Sequence, residues 1–386
     1  MTLFQEFIKF SLGKGDTLSH KLTEQDWLSL YAEAQRQSLF GVFMDGVERA
    51  VALGEPKPQR LMQWIAKVMA LEQRNKLLDD KAAELTRIFA DDGFKSCILK
   101  GQGVAKLYPR PYRRQCGDID IWVEGGREKI LAYLKGKYKI GSPVIHHVDV
   151  DVWDGVPVEV HFVPSFAYSP FRYRKFKRFF RGLSQSQFDN YSKKYGFATP
   201  TIEFNVVYSL MHIFHHVLHE GIGLRQLLDY YYILKAYKGN KEEIMNILVS
   251  LGLDRFAAAV MYVEKAFFDL EDESMLCFPD SSLGSFLLDE IQRSGNFGKY
   301  DERNRCVDRD NRWKLYLHNV RRNMMFLKFC PSIIRKTKCF RILERNAKIS
   351  KTKRNFSRLY PTPQKFKKID RLRRNEIHLK SVRTSS

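Results

Sequence analysis

The chain has 386 residues, 44% hydrophobic and 13% aromatic, enough apolar material for a packed core in two or three domains. Its formal net charge of +21 is uneven: residues 311–386 hold 23 Lys and Arg against 3 Asp and Glu, leaving 42 against 41 in residues 1–310. A neutral body with a basic tail excludes a chain built throughout as a polycation.

Residues 1–93 read as a helical region. Trp27, Leu28, Leu30 and Tyr31 are followed by Phe40, Val42, Phe43 and Val47, and Thr23 to Asp26 supplies an N-cap with acid in the first turn. From Arg60 to Asp91 a longer pattern sets Leu61, Trp64, Ile65, Val68, Leu71 and Leu78 near one helix face. Nothing in these patterns carries chemistry.

From Phe94 the period changes. Ser96 to Leu99 is a short apolar strand that ends at Lys100-Gly101, and Gln102 to Tyr108 reads as helical turns stopped by Pro109 and Pro111. A strand that hands over to a helix start at a glycine offers backbone N–H groups to an anion. Asp118-Ile119-Asp120-Ile121-Trp122-Val123 then alternates strictly, so Asp118 and Asp120 share one strand face. A covering helix is expected over residues 126–137.

Val144 to Val163 reads as a hairpin about Asp154-Gly155. A two-residue loop would oppose Asp151 to Val158. A three-residue loop of Asp154, Gly155 and Val156 instead aligns Asp151 with Glu159 and Asp149 with His161, and gathers Val150, Val152, Val158 and Val160 on one dry face. The second register is the expected one.

Phe171 to Arg181 is a basic and aromatic interlude. Thr201 to about Phe268 is helical, with His212, His215, His216 and His219 at i, i+3, i+4 and i+7. That face is expected to pack toward the site rather than to hold zinc, since no Cys or Glu joins it at a matching spacing. Arg225 and Asp229 read as an i,i+4 ion pair. Residues 282–330 read as further helix, and 335–386 as a flexible basic tail.

Two carboxylates at i and i+2 on one strand, with Glu159 on a neighbouring strand, repel one another unless a hard divalent cation joins them. With a glycine turn to hold phosphates, these parts describe metal-assisted phosphoryl or nucleotidyl transfer.

Leu99-Lys100-Gly101-Gln102, Asp118-Ile119-Asp120-Ile121 and Val158-Glu159-Val160 resemble the three motifs of the nucleotidyltransferase superfamily typified by DNA polymerase beta. "YRRQCGDIDIWV" and "VPVEVHF", together with "DWLSLYAEAQRQSLFGVF" and the His-rich helix, are similar to a poorly characterised bacterial family within it, over about residues 20 to 235. The resemblance implies an α+β fold with a small mixed β-sheet catalytic core at 94–165, between helical regions at 1–93 and 166–334. It implies two Mg²⁺ ions and transfer of a nucleoside monophosphate from an NTP, such as ATP, to an acceptor hydroxyl. Asp118 and Asp120 would hold both ions, and Glu159 would complete the one that activates the acceptor. Lys100, Gly101 and Gln102 would lie at the triphosphate, with Arg113 and Arg114 as further phosphate ligands. Gln102 stands where the superfamily usually has Gly or Ser.

A second reading starts from the tail, where net charge and interleaved aromatic residues suit nucleic acid or an anionic membrane surface through residues 311–386, beside a vestigial site. No apolar run approaches the ~18 residues that cross a bilayer. Six scattered cysteines without a CxxC pair, and no leading signal peptide, lead us to expect the cytoplasm, with peripheral membrane attachment open.

Overall fold

The computed structural model describes residues 1–166, 170–305, 322 and 324–329. Most of the basic segment 311–386, including all of 335–386, lies outside the described residues, and with it the readings of a tail for nucleic acid or membrane.

Three short helices open the chain: α1 (Leu3–Ser11), α2 (Glu24–Gln37) and α3 (Phe40–Ala52). Thr23 caps α2 as its sequence suggests. Its hydroxyl accepts from the Asp26 N–H, and the Asp26 carboxylate accepts from the Thr23 N–H at 2.9 Å. The long helix α4 (Leu61–Asp91) serves two buried clusters. Its first half packs Trp64 and Val68 among the aromatic residues of α1 to α3. Its second half lays Leu78, Ala82, Leu85 and Phe89 on a sheet.

That sheet contains β1 (Ser96–Leu99), β2 (Ile119–Val123), β3 (Lys139–Ile140), β4 (His147–Trp153) and β5 (Val156–His161) in the order β1-β2-β5-β4-β3. Only β2 and β5 run parallel; every other neighbouring pair is antiparallel. Ile119, Ile121, Val148, Val150, Val158 and Val160 point to one side, where α4 and α6 (Gly126–Lys137) bury them. Alternation leaves Asp120, Asp149, Glu159 and His161 on the other side. The fold is thus α+β with a small mixed sheet, and the covering helix falls at 126–137 as expected.

The hairpin register differs from both sequence alternatives. Asp154 and Gly155 form a two-residue turn that pairs Trp153 with Val156, with Gly155 at φ 69°. An irregularity between Val150 and Trp153 then shifts the ladder by one residue, so Asp149 faces Glu159 and His147 faces His161. The bulge keeps the valines on the dry side, which the two-residue turn alone would not do.

Beyond the sheet come α5 (Gly101–Ala105), placed between β1 and β2, and then α7 (Pro170–Asp189), α8 (Ile202–His219), α9 (Leu224–Ala236), α10 (Lys241–Leu251), α11 (Asp254–Phe268) and α12 (Ser281–Ser294). The basic interlude is therefore a continuous helix. Phe204, Tyr208 and Met211 of α8 join the same buried cluster as Phe7, Trp27 and Phe43, so the later helices close over the first ones. No helix among the described residues is long and apolar enough to cross a membrane.

Candidate active site

The polar side of the sheet is assembled by two pairings. Antiparallel β1 and β2 set Leu99 opposite Asp120, so Lys100 leaves the end of β1 beside that carboxylate. Parallel β2 and β5 set Asp120 opposite Glu159. Lys100 Nζ lies 2.9 Å from Asp120 Oδ1, and His161 Nε2 lies 2.8 Å from the same oxygen. His161 Nε2 is also 3.6 Å from Glu159 Oε2, and His147 Nδ1 is 3.5 Å from it.

Lys100 takes φ 49° and ψ −130°, a conformation that side chains other than glycine's rarely adopt. Strain of this kind costs roughly 1–3 kcal/mol and persists where surrounding contacts fix the residue. Here the ion pair with Asp120 holds the Lys100 side chain at the turn. Gly101 opens α5, and Gln102, almost fully buried, donates from Nε2 to the Asp118 carbonyl at 3.1 Å. Asp118 itself sits one residue ahead of β2, half-buried.

The charges respond to this crowding. Burial, then the like charges of Asp120 and Glu159, push Asp118 up to about 6. Burial opposes ionisation of Asp120 as well, but Lys100 and His161 outweigh it and hold that carboxyl well below the usual carboxylate range. Burial acts to lower His161, yet hydrogen bonds to Asp120 and Glu159 win and raise it. Glu159 is lowered: His161 beside it outweighs the burial that acts to raise it. His147 has no such dominant partner, and burial takes it down to about 4.

Two groups on this face could hold a cation through carboxylates: Asp120, Glu159 and His161, and His147, Asp149 and Glu159, each with one ligand atom per residue inside 4.8 Å. Asp118 stands outside both groups. Carboxylate oxygens are the hard donors that Mg²⁺ takes, so the donor set on this face fits that ion.

Other residues singled out from the sequence lie elsewhere. Arg113 pairs with Asp45, Glu48 and Glu72, tying the turn at Pro111–Arg113 to α3 and α4. Arg114 is buried and forks onto Asp229, with Nε to Oδ1 at 2.7 Å and Nη2 to Oδ2 at 2.6 Å, while the Tyr108 hydroxyl donates to Oδ1 at 2.8 Å. Asp229 therefore pairs with Arg114 and not with Arg225, which donates instead to the Gln115 carbonyl at 2.5 Å. The local i,i+4 rule loses to a bidentate, buried partner.

On α8, His212 and His216 bring their Nε2 atoms to 3.0 Å, and His215 packs its ring on Phe166, 4.5 Å between centroids. The side chain of His219 lies outside the described residues. His146 and His147 were not singled out by the sequence reading. The only signal was a His-His pair opening the run that ends at Trp153, and its meaning depends on the register that brings His147 to His161.

Residues 23–269 match a family described as uncharacterised nucleotidyltransferase. The chain belongs to that family. No curated protein and no solved structure matches it. Membership in this nucleotidyltransferase family gives the reaction class, nucleotidyl transfer, with an NTP as substrate.

Proposed function

We propose that this protein moves a nucleoside monophosphate from an NTP to an acceptor hydroxyl, releasing pyrophosphate, with two Mg²⁺ ions held by Asp118, Asp120 and Glu159. The observation that carries this reading is the pairing of Asp120 with Glu159 across parallel β2 and β5, next to the Lys100-Gly101 turn, in a chain of this family.

Bound Mg²⁺ supplies charge neutralisation on the triphosphate and lowers the pKa of the attacking hydroxyl. Asp118 and Asp120 contribute ligand oxygens from one edge of the face, and Glu159 contributes from the other and receives the acceptor's proton. Lys100 exchanges its bond to Asp120 for a phosphate oxygen, where an ammonium suits as a point charge. Gly101 gives the phosphates access to the backbone. Gln102 acts behind them, fixing Asp118 through its main-chain carbonyl. Arg113 and Arg114 pair with carboxylates of the scaffold and are assigned no phosphate role in this reading.

Isothermal titration with Mg²⁺ and each NTP tests the metal site. Wild type binds, and Asp118→Ala and Asp120→Ala lose binding; unchanged binding in both variants overturns the assignment. Incubation with labelled NTP and cell extract, followed by mass spectrometry and a pyrophosphate assay, separates transfer from mere holding of nucleotide.

A further inference from the structure

The same side of the sheet carries three imidazoles that the proposed transfer reaction does not use as metal ligands. His146 precedes β4, His147 opens it, and His161 closes β5 directly opposite His147. One ring nitrogen from each of the three lies within 4.8 Å of the others. His146 Nε2 and His147 Nδ1 are 3.0 Å apart.

The nitrogens left over are informative. His161 is almost fully buried, and Asp120 engages its Nε2 at 2.8 Å, so the remaining donor atom is Nδ1. That Nδ1 is buried and has no hydrogen-bond partner among the described residues. Buried ring nitrogens without partners are costly unless something else satisfies them. A carboxylate on the far nitrogen of a histidine is also the usual support for a metal-binding imidazole, because it fixes the ring and strengthens the donor.

We propose that His146, His147 and His161 form a site for a borderline divalent transition ion of the Zn²⁺ class, distinct from the carboxylate site for Mg²⁺. Two nitrogens each about 2.0–2.1 Å from one tetrahedral ion stand roughly 3.3–3.4 Å apart, and His146 Nε2 and His147 Nδ1, at 3.0 Å, need part only slightly to take one between them. Imidazole donors select Zn²⁺-like ions over Mg²⁺, which prefers oxygen. The rings are also held from outside: His146 stacks on Phe166 at 4.7 Å between centroids, and Phe166 meets His215 of α8. An ion at this point ties the start of β4 to the end of β5 and, through His161, orients Asp120. The site stands on the imidazole geometry alone and does not depend on the transfer reaction.

Protein stripped with chelator is titrated with Zn²⁺ and, separately, with Co²⁺ as a visible probe, and the Zn²⁺-loaded wild type is studied by X-ray absorption. One tight equivalent is expected, with ligand-field bands for Co²⁺ and a shell of three imidazoles about 2.0–2.1 Å from zinc. His146→Ala and His147→Ala each weaken binding by roughly tenfold or more, since losing a ligand costs at least what losing its outer partner does. A His212→Gln/His216→Gln double variant leaves binding unchanged. Absence of a tight equivalent in wild type overturns the site, as does a shell with one imidazole and otherwise oxygen, which would place the ion on one of the two carboxylate groups of this face. Binding that follows His212 and His216 overturns it equally. The wild-type measurements decide the matter even where a variant fails to fold.

Discussion

The turn at Pro111–Arg113 and the polar side of the sheet both concentrate charge, and they settle it in opposite ways. Around the turn the two arginines have their match: Arg113 meets three carboxylates on two helices, and Arg114 meets both oxygens of Asp229. On the sheet, Asp118, Asp120 and Glu159 share Lys100 and His161, and Asp118, buried and then crowded by its like-charged neighbours, is pushed up to about 6. Matched charge is scaffold. Unmatched charge kept against its own repulsion is where an ion or substrate has something to gain.

The largest effect should come from breaking a matched pair. Arg114→Ala leaves Asp229 buried with only the Tyr108 hydroxyl and should cost about 3–5 kcal/mol in chemical denaturation. A loss below about 1 kcal/mol, the worth of an exposed pair, would remove the distinction drawn between the two regions.

The unmatched side should behave with the opposite sign. Because Asp118 is raised when folded above its ordinary 3.8, the stability it contributes is complete below that value and is lost as pH rises through about 6. In chelator, wild-type melting temperature should therefore fall across that window, while Asp118→Asn should lack this component and melt higher above it. Millimolar Mg²⁺ should flatten the wild-type fall. An equal fall in Asp118→Asn would place the charge excess elsewhere.

The smallest effect belongs to a pair that is matched but wet. Lys139 and Asp151 lie 3.4 Å apart with both side chains largely exposed, so Lys139→Ala should shift stability by no more than about 0.5 kcal/mol. A larger shift would mean that pairing matters regardless of burial, and the contrast would need another basis.

What the sequence disclosed and what it hid follow from the range of each interaction. Alternation at Asp118 to Val123 and at Val158 to His161 is a local pattern, so the strands and their polar side were legible, as was the cap at Thr23. The hairpin register was not, because a bulge next to Asp151 and Val152 shifts the pairing by one residue and interrupts the alternation that would have announced it. His146 and His147 stayed hidden for the same reason, their company being set by that register. Arg114 and Asp229 are far apart in the chain, and a rule that looks four residues along a helix chose Arg225 instead.

The parallel joining of β2 to β5 also bears on the order in which the molecule comes together. The β4–β5 hairpin closes across a tight turn, whereas β5 reaches β2 only after the chain between Val123 and Val156 has been gathered in, at a higher entropic cost. Joining them brings Asp120 against Glu159, so the costlier closure is also the one that like charges resist. If the proposed metal site is right, a divalent cation in the refolding buffer should speed refolding of wild type, and that benefit should disappear when either carboxylate is replaced by its amide.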